Sequence, residues 1–382
     1  MKDLRPLLEQ ARRDHLYRSP RVLESPQQPE VRVDGKPMLS FCSNDYLGLA
    51  ADERVARAFR AGIDRWGSGS GAAHLVTGHS RAHQQLEQEL AEFTGRERAL
   101  LFSSGYMANL AVITTLLGRG DTVVQDRLDH ASLVDGARLS GARLLRFAHA
   151  DLDAAKAQLG KATGEKLLAV DGVFSMDGDL ADLPALAELC RKQDAWLMVD
   201  DAHGLGVLGA HGGGSLAHWR LDAQQAPVLM GTLGKAFGTA GAFVSGSEAL
   251  IETLIQKART YIFTTALPAA VAEATRASLK IIQQESWRRE RLGELVEKFR
   301  EAAIALDFEL PPSPTPIQPL IAGSAETVLN WSSKLAEQGI LVTAIRPPTV
   351  PKDTARLRIT FSASHTDAQL QRLLNALERL RP

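Results

Sequence analysis

The feature that most constrains the fold is a series of short apolar segments, each followed by a polar or glycine-rich turn. They occupy Ala99–Phe102, Thr122–Val124, Leu144–Phe147, Lys166–Val170, Trp196–Val199 and Val228–Met230. Helix-like segments lie between most of them. One is His83–Phe93, where Leu86, Leu90 and Phe93 share a face. Buried strands that alternate with helices predict a mostly parallel sheet covered by helices on both faces.

The rest of the chain predicts two further regions. Residues 1–47 are expected to form an arm, with a helix followed by a hairpin around Asp34-Gly35, a dipeptide that favours tight turns. Residues 48–280 then form the large domain that holds the sheet. Residues 281–382 are expected to form a smaller α+β domain, in which Arg356–Phe361 alternates as a strand and Asp367–Leu380 carries a stripe of leucines at helical spacing.

Charge and cysteine content exclude several classes of protein. The 44 basic residues nearly balance the 45 acidic ones, so no electrostatic footprint for nucleic acid is present. The N-terminal segment lacks the apolar run of a secretory signal, and no apolar stretch is long enough to span a membrane. Only two cysteines occur, Cys42 and Cys190, which favours free thiols in a reducing cytoplasm. We expect a cytoplasmic protein without a metal site.

Two strand ends carry the residues that suggest chemistry. The apolar strand at residues 196–199 runs into Asp200, with His203 three residues later, and ligands sit beyond the carboxyl ends of parallel strands. The next strand leads to Lys235, flanked by Gly234 and Ala236, whose small size lets a ligand approach the backbone. Each segment also has an ordinary interpretation, as a turn-capping aspartate or a surface lysine. Neither a P-loop nor a dinucleotide fingerprint fits the glycine spacing.

Taken together, the two segments predict pyridoxal 5'-phosphate as the cofactor. A lysine forms a Schiff base with it, and an aspartate such as Asp200 keeps its ring nitrogen protonated. The turn at Ser103-Ser104-Gly105 leads into a helix whose N–H groups suit the phosphate, although an ordinary serine cap explains it equally well. His130 could cover the ring face, although a lone loop histidine is more often a surface residue.

These segments, with others along nearly the whole chain, resemble those of the α-oxoamine synthases, which are fold type I pyridoxal-phosphate enzymes. The resemblance rests on Asn44–Leu49, Gly67–Gly71, His74–Gly78, Asp129–Leu133, Gly172–Asp179, Val199–Gly204, Gly231–Lys235 and Ala344–Pro351. It implies a large domain with a mostly parallel seven-stranded sheet between helices, followed by a small α+β domain. One departure is Asp171, which stands where relatives carry glutamate.

The resemblance also implies four catalytic residues. Lys235 would bind the cofactor and later move the α-proton of the substrate. Asp200 would pair with the pyridine nitrogen, and His203 would hydrogen-bond the phenolic oxygen. His130 would stack on the ring and contact the substrate.

Further implied contacts complete the cofactor site. Gly105 and Tyr106 would hold the phosphate, and Thr232 and Ser175 would lie on the cofactor side. Thr265 would reach the phosphate of the neighbouring subunit, which implies a homodimer with shared active sites.

For the substrates, the resemblance implies that Arg358 anchors the amino-acid carboxylate, with Arg18 and Thr349 on the acyl-thioester side. The segments His74–Gly78 and Ile345–Thr349 favour the family member that condenses L-alanine with a pimeloyl thioester in biotin synthesis. The thiol carrier, coenzyme A or an acyl-carrier protein, stays open. Alternatives within the family pair glycine with an acetyl or succinyl thioester, or serine with a palmitoyl thioester. An alternative of another class is a catalytically inactive regulatory subunit, which would be expected to lack the lysine.

Overall fold

The computed structural model describes residues 2–14 and 16–380. Its helices are α1 Arg5–Arg13, α2 Glu53–Trp66, α3 Arg81–Thr94, α4 Gly105–Leu116, α5 Ala131–Ser140, α6 Leu152–Leu159, α7 Leu183–Gln193, α8 Gly214–Trp219, α9 Glu248–Lys257, α10 Arg259–Ile262, α11 Ala269–Gln284, α12 Trp287–Ala305, α13 Ala325–Glu337 and α14 Asp367–Glu378. A short π-helix covers His74–Gly78.

The strands are β1 Glu30–Val33, β2 Lys36–Ser40, β3 Arg98–Phe102, β4 Thr122–Asp126, β5 Arg143–Phe147, β6 Lys166–Asp171, β7 Trp196–Asp200, β8 Val228–Thr232, β9 Ala242–Gly246, β10 Ile317–Gly323, β11 Ile340–Leu341, β12 Thr343–Ile345 and β13 Ala355–Thr360. Every apolar segment that predicted a strand of the large sheet lies within a strand. The strand β9 was not among those segments.

The chain forms two compact units. The smaller unit combines Met1–Asn44, Met176–Gly178 and Arg291–Pro382, and the larger unit combines Asp45–Ser175 with Asp179–Glu290. The N-terminal segment therefore makes its contacts with C-terminal residues of the chain. The division into an arm and two domains, drawn from the sequence, stays a prediction.

The larger unit is built on a seven-stranded sheet with the order β3-β9-β8-β7-β6-β4-β5. Neighbours from β8 to β5 pair in parallel, whereas β9 pairs antiparallel with both β8 and β3. This confirms the predicted mostly parallel seven-stranded sheet. The carboxyl ends of β4, β6, β7 and β8 therefore meet at one edge.

Both faces of this sheet are covered, because alternate residues of each central strand enter different cores. Val123 and Met198 belong to one buried cluster, whereas Val124 and Val199 belong to another. Helix α4 packs in the first cluster and α7 in the second. Side chains of a strand alternate between faces, so the continuous apolar runs in the sequence reflect burial on both sides.

The smaller unit holds two three-stranded sheets, with orders β1-β2-β11 and β10-β13-β12. The hairpin of β1 and β2 turns at Asp34 and Gly35, which have φ of 48° and 76°. Strand β13 is the central strand of its sheet, and all six of its residues are buried. Arg356 and Arg358 are therefore buried in a central strand and are not surface arginines of a solvated edge strand.

Candidate active site

The side chains of Lys235 and His203 meet beyond the carboxyl ends of β7 and β8. The Nζ atom of Lys235 lies 2.7 Å from Nε2 of His203, and Nδ1 of the same ring lies 2.7 Å from the hydroxyl oxygen of Tyr46. Tyr46 is fully buried, and His203 is 8% exposed. Both nitrogens of the imidazole are thus hydrogen-bonded, which fixes the ring plane beside the lysine amine.

Tyr46 is held by a loop that is itself firmly anchored. The Asp45 carboxylate accepts hydrogen bonds from the backbone N–H groups of Leu49 and Ala50, at 2.8 and 3.1 Å. A Cβ atom at Gly238 would lie 2.4 Å from the Ala50 nitrogen, so this loop packs directly against the turn after the lysine. Burial, the largest influence, raises the pKa of Asp45 to about 6, although the backbone hydrogen bonds oppose that shift.

The consecutive aspartates after β7 face opposite directions. Asp200 is the last residue of β7, and its carboxylate accepts hydrogen bonds from Asn109 Nδ2 at 2.7 Å and the Ala202 N–H at 3.1 Å. Asp201 is fully buried on the other side, where it accepts from the Ser215 N–H at 2.7 Å. Burial raises the pKa of Asp201 to about 7. The two neighbouring carboxylates therefore have different hydrogen-bond partners.

His130 lies at the start of α5 and remains exposed. Its Nδ1 atom is 2.7 Å from the hydroxyl oxygen of Ser132, and its ring makes an edge contact with Tyr106 at 6.5 Å between centroids. Ser132 in turn is 2.8 Å from Nδ2 of Asn109, the amide that also contacts Asp200. One exposed imidazole and one buried carboxylate are thus linked through two buried side chains.

Two further buried carboxylates, those of Asp129 and Asp171, lie close to His130 and Asp200. Asp129 accepts hydrogen bonds from the backbone N–H groups of Asp126 and Asp171, at 2.8 and 2.9 Å. Asp171 is the register partner of Asp200 and accepts from the His130 N–H at 3.4 Å. Burial together with the neighbouring carboxylates raises the pKa of Asp129 and of Asp171 well above the usual range. Such a cluster cannot ionise completely.

The predicted phosphate turn sits at the start of α4. Ser104 is the N-cap residue, and its hydroxyl accepts from the Met107 N–H at 3.3 Å. Gly105 and Tyr106 form the first helical residues, and Tyr106 is 42% exposed. The serine therefore caps the helix, and the helix dipole favours an anion at the same end, so the two interpretations of this turn are compatible.

The glycines around Lys235 serve different purposes. A Cβ atom at Gly231 would lie 2.2 Å from Leu205 Cδ1, and one at Gly238 would collide with the backbone of Ala50, so both are required by internal packing. At Gly234, however, a Cβ atom would meet only the Thr239 carbonyl at 3.7 Å and the Thr232 hydroxyl at 3.9 Å. Gly234 is therefore not required by internal packing, unlike Gly231 and Gly238.

Other residues predicted for the cofactor site belong to the same unit. Thr232 ends β8, and its hydroxyl donates to the Gly241 carbonyl at 3.2 Å. Ser175 is half-buried just beyond β6. Thr265 is exposed and forms a bridge with Ala73, next to the π-helix. The structure thus gathers Lys235, His203, Asp200 and His130, and it leaves Thr265 facing outward.

The predicted substrate residues belong to the smaller unit. Arg358, in β13, is 7% exposed, and both terminal nitrogens lie 3.2 Å from Oδ1 of Asn44. Arg356 pairs instead with the carboxylate of Asp177. The segment that carries Asn44 is fixed to the same sheet, because the Thr360 hydroxyl donates to the Ser43 carbonyl at 2.8 Å.

A cleft of about 560 Å³ lies in the same unit. Its basic lining is Arg18, Arg21 and Arg346, and its apolar lining includes Leu23, Val31, Val33, Leu329 and Leu341. Arg346 also donates to the Tyr17 carbonyl at 3.4 Å. Thr349 is exposed in the turn that follows Arg346. The cleft therefore suits a molecule with an apolar body and an anionic group.

Residues 36–377 match the family model of class I and II aminotransferases. The chain belongs to this family. It is 63% identical over 382 residues to an 8-amino-7-oxononanoate synthase from Thioalkalivibrio sulfidiphilus, which covers 99% of this chain and 97% of that protein. It is 60% identical over 375 residues to an 8-amino-7-oxononanoate synthase from Pseudomonas putida strain W619, with 98% and 96% covered.

Solved structures of family members share the fold. A serine palmitoyltransferase from S. paucimobilis, with a bound PLP–myriocin aldimine, superimposes with a TM-score of 0.93 at 30% identity, covering 99% of this chain and 96% of that one. An 8-amino-7-oxononanoate synthase from Francisella tularensis gives a TM-score of 0.79 at 34% identity, covering 90% and 97%. The expected fold type I architecture is confirmed.

The residues at the carboxyl ends of these strands fit pyridoxal phosphate. A lysine amine suits its aldehyde, an ionisable carboxylate on the same side suits its ring nitrogen, and a helix start suits its phosphate. The sequence analysis predicts no role for Tyr46, Ser132 or Asn109, although Tyr46 and Ser132 lie in segments that carry the family resemblance.

Proposed function

We propose that the protein is an 8-amino-7-oxononanoate synthase. It condenses L-alanine with a pimeloyl thioester, releases carbon dioxide and free thiol, and supplies an intermediate of biotin synthesis. The observation that carries this proposal is the cluster of Lys235, His203 and Asp200 at the edge of the sheet, in a chain 63% identical to a protein of that name. The presence of Lys235 with its partners argues against an inactive regulatory subunit.

Pyridoxal 5'-phosphate is the cofactor, and when bound it supplies an aldehyde for the amino group and a protonated ring that withdraws electrons from the substrate α-carbon. Lys235 would hold the cofactor through its amine, and the free amine would take the proton from that α-carbon. Asp200 holds the proton on the ring nitrogen. His203 hydrogen-bonds the phenolic oxygen and orients the lysine amine, which lies 2.7 Å from its Nε2 atom. His130 covers the ring.

The remaining predicted residues hold the ends of the cofactor and the substrates. Gly105 and Tyr106 bind the phosphate at the start of α4. Ser175, which follows β6, and Thr232, which ends β8, also contact the cofactor. Arg358 binds the carboxylate of alanine through its planar guanidinium group.

The arginine-lined cleft favours an acyl chain that ends in a carboxylate. Arg18 and Arg346 offer charge at a surface that is otherwise apolar, and Thr349 belongs to the same segment. A palmitoyl chain ends in a methyl group and brings no anionic group to this basic lining. A pimeloyl chain combines five methylene groups with a free carboxylate, which matches both parts of the lining.

We further propose a homodimer in the cytoplasm, in which Thr265 contacts the phosphate bound by the partner subunit. The exposure of Thr265 and Phe263 supports this arrangement, since a dimer would cover them. Cys42 and Cys190 are both free, as a reducing compartment favours. Within residues 2–14 and 16–380, no helix is long and apolar enough to cross a membrane.

Product analysis tests the substrate assignment. Purified protein with pyridoxal phosphate is incubated with alanine, glycine or serine against acetyl, succinyl, pimeloyl and palmitoyl thioesters, each on coenzyme A and on acyl-carrier protein. Mass spectrometry should find 8-amino-7-oxononanoate as the main product, and a Lys235→Ala variant should form none. Faster turnover of glycine with succinyl or acetyl thioester would contradict the proposal.

A further inference from the structure

A continuous set of hydrogen bonds joins Asp200 to His130 through two side chains to which the proposed chemistry gives no part. Asn109 Nδ2 lies 2.7 Å from Asp200 Oδ2 and 2.8 Å from Ser132 Oγ, and Ser132 Oγ lies 2.7 Å from His130 Nδ1. Asn109 and Ser132 are both fully buried, so water cannot replace these contacts without rearrangement.

The direction of the first bonds follows from the chemistry of the groups. In the proposed function Asp200 is the carboxylate partner of the protonated ring nitrogen, and a carboxylate only accepts hydrogen bonds, so the atom of Asn109 that faces it must be the amide nitrogen. Turning the amide over would bring two acceptor oxygens to 2.7 Å. The amide nitrogen has two hydrogens, and the second one points to Ser132 Oγ. The serine oxygen therefore accepts from Asn109.

The direction of the last bond, between Ser132 Oγ and His130 Nδ1, follows from the donors around Nδ1. Because the Ser132 oxygen accepts from Asn109, its own hydrogen is available for His130 Nδ1. The backbone N–H of Ser132 also points to that nitrogen, at 3.3 Å. Two donors converge on Nδ1, so Nδ1 must be an acceptor, and the ring hydrogen of the neutral imidazole sits on Nε2.

We propose that Asn109 and Ser132 are positioning residues, which couple the carboxylate of Asp200 to the imidazole of His130 and fix His130 as the tautomer protonated on Nε2. The inference rests on the proposed function, in which Asp200 faces the ring nitrogen of the cofactor and His130 covers its ring. The hydrogen bonds through Asn109 and Ser132 fix the positions of Asp200 and His130 relative to each other. They leave the Nε2–H group of His130 as a donor on the side of the ring away from Ser132.

A purely structural role would give a different set of results. Asn109 and Ser132 contribute to packing of α4 against α5, so any substitution there can lower stability. Stability alone is therefore not informative. The tautomer of His130 is informative, because packing does not prescribe which ring nitrogen carries the hydrogen.

The decisive measurement is made on the full-length protein labelled with ¹⁵N-histidine, first without and then with pyridoxal phosphate. Long-range ¹H–¹⁵N correlation spectra distinguish protonated from unprotonated ring nitrogens, and a His130→Gln variant assigns the signal. We expect wild-type His130 to be protonated on Nε2 and unprotonated on Nδ1. A proton on Nδ1 in the wild-type protein overturns the inference, whatever the variants do.

Variants then test the two linking side chains. Ser132→Ala leaves only the longer N–H contact, so the tautomer protonated on Nδ1 should become detectable and kcat should fall about tenfold. Ser132→Thr keeps a hydroxyl, so both the Nε2-protonated tautomer and kcat should be as in the wild-type protein. Ser140→Ala removes a hydroxyl from the same helix that takes no part in the hydrogen bonds between Asp200 and His130, so it should leave the His130 spectrum unchanged. Asn109→Leu should lower kcat by about 10- to 100-fold, because it removes a donor to a buried charge.

The two proposals fail in different ways. An active synthase in which Ser132→Ala changes neither the His130 spectrum nor kcat overturns the coupling and leaves the proposed function standing. A wild-type protein with the expected tautomer that makes no 8-amino-7-oxononanoate overturns the proposed function and supports the hydrogen-bond direction on its own.

Discussion

The Nζ atom of Lys235 lies 2.7 Å from Nε2 of His203, although 32 residues separate them in the chain. Adjacent parallel strands bring them together, since His203 follows β7 and Lys235 follows β8. The opposite nitrogen of the histidine contacts the hydroxyl of Tyr46 at 2.7 Å. The buried hydroxyl of Tyr46 therefore fixes the orientation of the His203 ring beside the amine of Lys235.

Tyr46→Phe should lower kcat about tenfold and shift the pH dependence of the cofactor absorbance. The substitution keeps the ring but leaves the Nδ1 atom of a mostly buried imidazole without its hydroxyl partner, which typically costs about 1–3 kcal/mol. Spectrophotometric titration of the holoenzyme and steady-state kinetics measure both effects. Tyr261→Phe is the matched control, since Tyr261 is a buried tyrosine of the same unit that stacks on His74 instead. Equal behaviour of the two variants would contradict the role of Tyr46.

Asp200→Asn should retain bound cofactor but lose most turnover. An amide cannot hold the proton on the ring nitrogen, so the barrier to deprotonation of the α-carbon should rise by roughly 3–4 kcal/mol. Exchange of the alanine α-proton with deuterated water, followed by NMR, reports this step without any thioester. Asp201→Asn is the control, because that side chain faces away from the site. Exchange at a near wild-type rate in Asp200→Asn would refute the assignment.

His149 provides a prediction about stability and pH. Its Nδ1 lies 3.0 Å from Asp126 and its Nε2 lies 3.0 Å from Asp179. Burial alone would lower the pKa of His149, but the hydrogen bonds and charges of the two carboxylates outweigh it and raise the pKa to about 10. The folded protein therefore retains this proton above the usual histidine pKa of about 6.5, and the associated stability is lost as pH rises towards 10.

His149→Gln should accordingly lower the free energy of unfolding by about 1–2 kcal/mol at pH 6, a value reduced for the partial exposure of the pair. The difference from wild type should shrink as pH approaches 10. Urea unfolding at several pH values measures it, with the exposed His211→Gln as the control. A difference that stays constant from pH 6 to 10 would show that the ion pairs do not cause it.

The sequence predicted the large sheet and the residues at its strand ends, because periodicity, strand order and the shared edge of parallel strands are local or generic properties. It could not predict partners such as Tyr46 for His203, since 157 residues separate them. It indicated Asp200 at the strand end, but it could not predict that Asn109 bonds to Asp200 or that the Ser215 N–H bonds to Asp201. The hydrogen bonds from Asn109 to Ser132 and Asp200 depend on how α4 packs, and an alternating pattern does not encode that.

Arg358 is the residue that we propose to bind the carboxylate of the amino-acid substrate. Its two terminal nitrogens are both 3.2 Å from Asn44 Oδ1. These two contacts fix the orientation of the planar guanidinium group. A planar fork of this kind meets a carboxylate with two parallel hydrogen bonds, whereas a lysine amine offers only a point charge. The same grip orients the α-carbon, so both affinity and rate should depend on it.

Arg358→Lys should therefore weaken alanine binding by about 10- to 100-fold and lower kcat as well, as measured by titrating holoenzyme with alanine and by steady-state kinetics. Arg356→Lys is the matched control, because Arg356 lies in the same strand but pairs with Asp177. Alanine should also bind better than glycine, by a modest factor, since one methyl group is worth only about 1–3 kcal/mol. Unchanged alanine affinity and rate in Arg358→Lys would remove Arg358 from the site, and a preference for glycine would overturn alanine as the substrate.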